Sequence, residues 1–347
     1  MQIPNSVANQ TGPWFMDEVQ IPGRLAALDS EIRKHAENLI NNGFTIIKQS
    51  MPRERCKALI EHFKAFASAN ADKFQQFLDA DGHYPRIVNL HAAMPELFEL
   101  FAKNTVAYKV QEAMFGAKPS LYTSLFYERG SAQPTHRDTP LFSTKPEYFY
   151  FGVWVALEDA NEVNGALQVY PGGHKMPELD RESIAIKRLG SLDDLPAMSN
   201  DLWLDYQGEV VRQCKDAGLN LELLCVEAGD TVIWHPQLPH GGGSIQDMSK
   251  SRFSFVMHTT PIGVPVYHQD KFFNPQAPAP IDAHWQYEEV DGAYRVVQGE
   301  VDFAHKQAYP ANAFAPVAAP KPVEQISTPP AVPKGIFGSL RKALGMA

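Results

Sequence analysis

Thr135-His136-Arg137-Asp138 sets an imidazole and a carboxylate two residues apart. On an extended strand, side chains two apart point the same way, so both can grip one ion from the same side. About a hundred residues later, Leu238-Pro239-His240-Gly241 offers a second imidazole, and Arg252-Phe253-Ser254 follows. Two imidazoles and one carboxylate occupy one face of a six-coordinate Fe(II) and leave the other positions open for a chelating co-substrate and dioxygen. His136, Asp138 and His240 are therefore the candidate ligands. His235 is the rival for the third place. His240 is preferred because it stands just before the Gly241-Gly242-Gly243 turn and twelve residues before Arg252, whereas His235 is followed by Pro236.

Period-two alternation after Arg252 sends Arg252, Ser254, Val256 and His258 to one face, expected to line a cavity, and Phe253, Phe255 and Met257 to the other, expected to pack outwards. A guanidinium beside a hydroxyl suits a carboxylate, because its planar fork donates two charge-assisted hydrogen bonds and the hydroxyl adds a third. The distal carboxylate of 2-oxoglutarate would anchor there, and an arginine clamp of this kind has no use in a non-oxidative cupin-like isomerase or binding protein, the alternative for such a barrel. Gln133, Arg137 and His258 are the candidates for touching substrate, although His258 could equally be a core histidine. His174 reads as structural or substrate-facing, Tyr148–Phe151 as core, and neither Arg86 nor Asn89 is expected to reach the site.

These residues need a scaffold. Apolar residues recur at helical spacing through Leu25, Ile32, Ala36, Leu39 and Ile40, with Gly43 as a stop, and a short strand is expected over Phe44 to Lys48. Pro52 opens a helix through Cys56, Leu59, Ile60, Phe63 and Phe66, and a third helix is expected from Pro95 towards Met114, ending at Gly116. From Ser120 to about Thr260 the pattern changes to short Val-, Phe-, Tyr- and Trp-rich runs separated by Gly, Pro and Asn, the signature of an antiparallel sandwich or barrel. Strands are expected at Leu121–Glu128, Tyr148–Leu157, Ala166–Tyr170, Asp230–Trp234 and Arg252–Thr259, with Asn164-Gly165 as a hairpin turn. The polar stretch from Lys175 to Leu224 interrupts them as an inserted lid or binding loop.

Composition narrows the partners. Of 347 residues 44% are hydrophobic, enough for a substantial core, and the formal charge of −9 excludes a general nucleic-acid binder, which needs clustered positive charge. A small molecule is the expected partner. Cys56, Cys214 and Cys225 are odd in number and form no C-x-x-C pair, which suits a reducing compartment. The start lacks the pattern of a secretory signal, and no run approaches a membrane span, so a cytoplasmic protein is expected.

Several segments together resemble the phytanoyl-CoA dioxygenase family of Fe(II)/2-oxoglutarate oxygenases. They are Gln133 to Asp138, Trp154 on the next strand, Asn164-Gly165-Ala166-Leu167-Gln168-Val169-Tyr170-Pro171-Gly172-Gly173-His174-Lys175, and Ala228-Gly229-Asp230 through His240 to Arg252. The likeness spans roughly Phe44 to Pro261 in the family's order. It implies a mainly β fold with N-terminal helices, a double-stranded β-helix or jelly-roll barrel of the cupin-like kind. It implies His136, Asp138 and His240 as iron ligands, Arg252 with Ser254 on the 2-oxoglutarate carboxylate, and Trp154 and Ser124 beside the same co-substrate. Fe(II), 2-oxoglutarate and dioxygen would then support oxidation of a C–H bond. Two departures stand out: the family often has Ser where Gly173 stands, and its usual Asn after the distal histidine is missing from Gly243-Ser244-Ile245.

The expected organisation is an oxygenase domain over 1–309, with helical support at 25–116, a barrel core at 120–261 and the lid insertion at 175–224. An Ala/Pro-rich linker over 310–333 carries seven prolines, counted from Pro310 to Pro333. A short basic amphipathic tail over 334–347 has Ile336, Phe337, Leu340 and Leu344 on one helical face. It could recruit the protein to a membrane surface or to a partner groove. The substrate itself is not legible.

Overall fold

The computed structural model describes residues 1–279 and 285–318. The expected basic tail lies outside the described residues, as does most of the expected linker.

The N-terminal third is helical, and its boundaries follow from capping chemistry. Helices α1 (Ile21–Ala26) and α2 (Ser30–Asn42) lead into strand β1 (Phe44–Ile47). Asp29 caps α2 by accepting from the amides of Glu31 and Ile32, and Gly43 ends it at φ +84°, a conformation that an L side chain resists. Next come α3 (Arg53–Ala69), α4 (Ala71–Phe74), the two-residue strand β2 (Ile87–Val88), α5 (Glu99–Ala102) and α6 (Thr105–Phe115). The single helix expected from Pro95 onwards is thus broken before α6. Asn104 at the break sends its amide to Thr231 Oγ1 at 2.9 Å and Ser50 Oγ at 3.2 Å, bonds that tie the chain to a strand rather than to a continuing helix.

The strands follow as β3 (Pro119–Tyr127), β4 (Ser143–Thr144), β5 (Phe151–Ala156) and β6 (Leu167–Val169). Helices α7 (Arg181–Leu189) and α8 (Asn200–Asp216) form the insertion. Then come β7 (Glu222–Leu224), β8 (Thr231–Trp234), β9 (His240–Gly242), β10 (Ser254–Pro261) and β11 (Val266–Tyr267). After the short α9 (Gln269–Phe272), two hairpins close the described chain, β12 (Tyr287–Val290) with β13 (Ala293–Val296) and β14 (Glu300–Phe303) with β15 (Gln307–Pro310).

A large, mainly antiparallel sheet runs β1-β8-β5-β10-β3-β2-β14-β15, with β13 added parallel to β3, and a small sheet runs β7-β6-β9. One apolar cluster takes Trp154, Val232 and Val256 from the large sheet and Leu167, Val169 and Leu224 from the small one, so the two sheets pack face to face. Two packed, mainly antiparallel layers are what the expected jelly roll requires, and among the described residues they share no continuous ladder. Asn164-Gly165 is correspondingly not a hairpin between paired strands. It carries the chain from β5 in one sheet to β6 in the other, with Gly165 at φ +82°.

The opposite face of the large sheet meets the helices. Phe253, Phe255 and Met257 join Phe63, Phe66 and Phe126 in the main core, and Phe63 lies 4.4 Å from Phe126 and 5.9 Å from Phe253, ring centre to ring centre. Burial of each such ring contributes roughly 1.5–3 kcal/mol. That core also corrects the linker boundary. Phe314 stacks on Phe66 at 5.7 Å, and Asn70 exchanges two hydrogen bonds with the Ala315 backbone at 2.7 and 3.1 Å. An aromatic side chain inside the proline-rich stretch therefore holds it against α3 through Val317, whose carbonyl lies 3.3 Å from His62 Nε2. No helix among the described residues is long and apolar enough to cross a membrane.

Candidate metal centre and its cavity

His136, Asp138 and His240 are all buried, and one candidate ligand atom from each lies within 4.8 Å of the others. The segment holding the first two pairs with β9 through a bridge between His136 and His240, with mutual amide-to-carbonyl bonds of 2.8 and 2.9 Å. Glycines make that approach feasible. A Cβ on Gly241 would stand 2.6 Å from the Gln133 carbonyl, and one on Gly242 would stand 2.5 Å from Ser131 Oγ. The Gly241-Gly242-Gly243 run is therefore a demand of close packing between backbone segments. The same holds at Gly173, where a Cβ would lie 2.8 Å from the Pro239 ring.

Hydrogen bonding orients every candidate ligand. His136 Nδ1 lies 2.8 Å from the Pro134 carbonyl and His240 Nδ1 lies 2.9 Å from the Leu238 carbonyl. A carbonyl can only accept, so both Nδ1 atoms carry the proton and Nε2 of each ring is the unprotonated nitrogen that can bind a cation, the one on His136 having the Gln133 amide nitrogen beside it at 3.3 Å. Asp138 Oδ2 accepts from Tyr150 Oη and from Trp234 Nε1, each at 2.8 Å. Its Oδ1 is left facing His136 Nε2 at 3.6 Å, while His240 Nε2 lies 3.7 Å from Oδ2. Each separation is short enough for one ion bonded at roughly 2.1 Å to touch both atoms. The donor set fits a divalent transition metal.

Protonation agrees with this. Burial alone would push the Asp138 carboxyl up, but the His240 and His136 imidazoles beside it outweigh burial and hold it well below the usual carboxylate range. Burial pushes His240 down to about 4, so the ring is neutral and able to bind a metal near neutral pH. Burial, reinforced by the Asp138 charge, raises the Tyr150 phenol well above its ordinary value and keeps it a donor. His258 Nδ1 hydrogen bonds to Tyr150 Oη, and because the phenol proton goes to Asp138 the histidine donates in that bond. His258 Nε2 is buried with no partner, and the ring stacks on Phe142 at 4.1 Å.

A cavity of about 250 Å³ opens onto these groups, with His136, Asp138, His240, Trp154, Arg252 and His258 on its wall. Arg252 is fully buried. Its Nη1 donates to the Gly165 carbonyl at 2.8 Å, its Nη2 reaches Ser254 Oγ at 3.4 Å, and Nε has no partner. The guanidinium lies 5.4 Å from the Trp154 ring and 5.9 Å from the Tyr127 ring, and burial pushes it down to about 10. It makes no ion pair with any carboxylate among the described residues. A buried cation without a counter-ion is costly to maintain unless an anion arrives.

Other expectations sort cleanly. Gln133 is on the wall, 3.3 Å from His136 Nε2 through its amide nitrogen. Ser254 stands with Arg252 but off the cavity wall. Ser124 does not line the cavity. It sits opposite Met257 in the register of β3 with β10, on the helical face, where its hydroxyl bonds His91 Nδ1 at 2.7 Å. Arg137 also turns away. It points opposite to its two flanking residues, gives its Nη2 to the Gly173 carbonyl at 3.0 Å, and has its backbone held by Gln207 of α8 at 2.8 and 3.0 Å. The insertion therefore buttresses the His136–Asp138 segment as well as contributing Met198 to the wall.

His235 is remote from the cluster, edge-on to Phe15 at 5.4 Å. His174 is structural and bonds the Ile40 carbonyl at 3.0 Å. Asn89 is occupied with Thr123 and the Ser124 amide. Arg86, in contrast, does line the cavity.

Two residues that matter were not singled out from the sequence, Tyr150 and Trp234. Trp234 reaches Asp138 only because Gly152 lies beside it on β5: a Cβ on Gly152 would stand 2.0 Å from the indole. A tryptophan next to a bare strand position is the signal that could have found it.

Comparison with known proteins gives this geometry a setting. The model of the phytanoyl-CoA dioxygenase family matches residues 40–254. A probable phytanoyl-CoA dioxygenase of Caenorhabditis elegans is 31% identical over 114 residues, 33% of this chain and 32% of that protein. The peroxisomal phytanoyl-CoA dioxygenase of Rattus norvegicus is 31% identical over 116 residues, 33% of this chain and 30% of that protein. The match thus spans about a third of the length of these curated relatives. Among solved structures, EctD from S. alaskensis with 2-oxoglutarate and 5-hydroxyectoine is similar at a TM-score of 0.52 and 14% identity, covering 77% of this chain and 88% of that one. The epimerase SnoN in complex with Fe3+, alpha ketoglutarate and nogalamycin RO is similar at 0.52 and 14% identity, covering 77% of this chain and 98% of that one. At such identities the likeness concerns the fold, a jelly roll.

Proposed function

The chain belongs to the phytanoyl-CoA dioxygenase family, and with that as premise we propose that it is an Fe(II)- and 2-oxoglutarate-dependent oxygenase that oxidises a C–H bond of a small organic molecule. The observation that carries this is Arg252, a buried guanidinium with no acidic partner, on the wall of the cavity that holds His136, Asp138 and His240. A metal site alone would suit many reactions. A metal site with a waiting carboxylate clamp suits a chelating dicarboxylate co-substrate.

In this reading His136 and His240 bind iron through Nε2 and Asp138 through Oδ1, and Arg252 holds the distal carboxylate of 2-oxoglutarate with Trp154 against its chain. Iron with 2-oxoglutarate and dioxygen supplies oxidative decarboxylation to succinate and carbon dioxide, coupled to attack on a C–H bond. The chain's own residues supply placement. Tyr150 and Trp234 fix the carboxylate plane of Asp138, the Pro134 and Leu238 carbonyls fix the ring faces of both histidines, and the apolar wall keeps water off the site. Because Asp138 retains the carboxylate, no ligand position is vacated for a halide, and oxidation rather than halogenation is the proposed outcome. Residues 1–318 act as the oxygenase domain, with the 175–224 insertion covering the cavity.

Anaerobic titration of the Fe(II)-loaded protein with 2-oxoglutarate, followed through the metal-to-ligand charge-transfer absorbance, tests the reading. Binding is expected for the native protein, and Arg252→Gln should weaken it at least tenfold. Absence of binding to the native protein would favour a non-oxidative cupin-like role.

A further inference from the structure

The cavity has two ends of different chemistry, and strand register separates them. Ser254 of β10 lies opposite Tyr127 of β3 and His258 lies opposite Thr123, so the two positions stand about 13 Å apart at roughly 3.3 Å per residue. The two arginines of the wall, Arg86 and Arg252, gather at the first position. Arg252 lies 5.9 Å from the Tyr127 ring, and Arg86 directly precedes the Ile87–Phe126 pair. Burial pushes the Tyr127 phenol up, and both arginine charges pull against that. A co-substrate clamped by Arg252 and bonded to the metal cluster fills that end. The wall around His258, with Tyr122, Leu141, Phe142 and Met198, is left for the substrate.

His258 is 4% exposed, and its proton is placed by its neighbours. Nδ1 donates to Tyr150 Oη, whose own proton goes to Asp138 Oδ2 at 2.8 Å, so Nε2 is left as a lone pair. Burial pushes this imidazole down to about 4, which keeps the ring neutral. No donor among the described residues meets Nε2, and the stack on Phe142 at 4.1 Å holds the ring in plane. His268 on the same wall repeats the pattern. Its Nδ1 lies 2.9 Å from the Leu141 carbonyl, which can only accept, so the neutral ring again leaves Nε2 as the acceptor. Thr123 Oγ1 gives its proton to Asn89 Oδ1 at 2.7 Å and keeps its lone pairs. The Tyr122 hydroxyl can turn to serve either role. This end of the cavity therefore offers acceptors and carries no lysine or arginine.

We propose that Nε2 of His258 is the acceptor for a hydrogen-bond donor on the substrate, which makes the substrate a molecule with a hydroxyl or an N–H on an apolar body. A buried acceptor rejects a group that cannot donate to it, because its lone pair is then left unpaired. The apolar body lies among Leu141, Phe142 and Met198. Since His258 is joined to Asp138 through Tyr150 alone, a group held on Nε2 is held beside the metal cluster, and the C–H bonds next to that group are the ones presented to it.

The proposal rests on the oxygenase reading, and its test separates the two. Cyclohexanol, cyclohexylamine and cyclohexanone share one ring and differ in whether the polar group donates. Each is titrated into protein loaded with Mn(II), a divalent ion that accepts the same donor set, with saturating 2-oxoglutarate, and binding is read from paramagnetic relaxation of the probe's ring protons. Cyclohexanol or cyclohexylamine is expected to bind at least tenfold tighter than cyclohexanone, and whichever of the two binds tighter assigns the donor as hydroxyl or N–H. His258→Asn keeps an N–H for Tyr150 and removes the outer acceptor, so it should abolish the preference while 2-oxoglutarate affinity stays within twofold. His258→Gln keeps an acceptor near the place of Nε2 and should retain part of the preference, which also gives a second variant should the asparagine one fail to fold. Ketone binding as tight as the better donor, no binding of any probe, a preference that survives His258→Asn, or one lost entirely in His258→Gln would overturn the proposal. So would a tenfold loss of 2-oxoglutarate affinity in His258→Asn, since His258 would then serve the co-substrate. Failure of the oxygenase reading shows itself separately, as no binding of 2-oxoglutarate to the native Fe(II)-loaded protein, and the donor preference is then judged in its absence.

Discussion

The two faces of β10 are equally buried and do opposite things. Phe255 and Met257, with Phe253 just ahead of the strand, face the helices and are enclosed by other apolar side chains, while Val256 and His258, with Arg252 just ahead of the strand, face the cavity, where Arg252 Nε and His258 Nε2 find no partner. Burial by itself cannot tell a core from a site. What distinguishes them is what the strand itself offers: the Phe255 and Met257 side chains have no polar group to satisfy, whereas Arg252 Nε and His258 Nε2 are left without partners in the fold on the side of the cavity.

The sharpest way to break this comparison is to remove a group from each face. Asp138→Ala should reduce 2-oxoglutarate turnover to background, measured as succinate release with iron supplied in excess, while the protein stays folded by circular dichroism; retained turnover would remove Asp138 from the ligand set. Phe255→Ala, on the other face, should lower stability by about 3–5 kcal/mol in urea unfolding and leave turnover per folded molecule intact. A smaller change sharpens the boundary between ligands and their supports. Trp234→Phe deletes the indole donor to Asp138 and should weaken iron affinity roughly 10–100-fold, measured by competition with a chelator. Ser124→Ala is the mildest. Its hydroxyl serves His91 on the helical side, so stability should fall by about 1 kcal/mol with the KM for 2-oxoglutarate unchanged. A raised KM there would return Ser124 to the cavity.

How legible these faces were depended on how local the information was. His136, Asp138, His240 and Arg252 could be named because spacing along one strand, or beside a glycine run, decides where such residues point. Ser124 was misplaced because side-chain direction on β3 depends on register. The pairing with β10 shifts between His258 and Thr259, where Tyr122 is the extra residue, and Thr123, Leu125 and Tyr127 take the cavity face instead. Tyr150 and Trp234 were illegible for a stronger reason: each acts on Asp138 from a different segment, and no local pattern records that meeting. Arg86 was discounted because a strand of two residues leaves almost no periodicity to read. The start of the linker was misjudged through composition, which registered seven prolines and overlooked what Phe314 alone could bury.

Gly152 carries a consequence for how this site can change over time. The space above it is filled by the Trp234 indole, and the indole in turn holds Asp138. Positions 152 and 234 therefore behave as a single heritable unit. A side chain gained at 152 evicts the indole and unseats the carboxylate, whereas a smaller ring at 234 leaves a gap that a side chain at 152 could fill. A lineage can cross between those two solutions only through an intermediate with a weakened metal centre or a hole in the sheet, so drift at either position alone is blocked even though neither residue touches the ion.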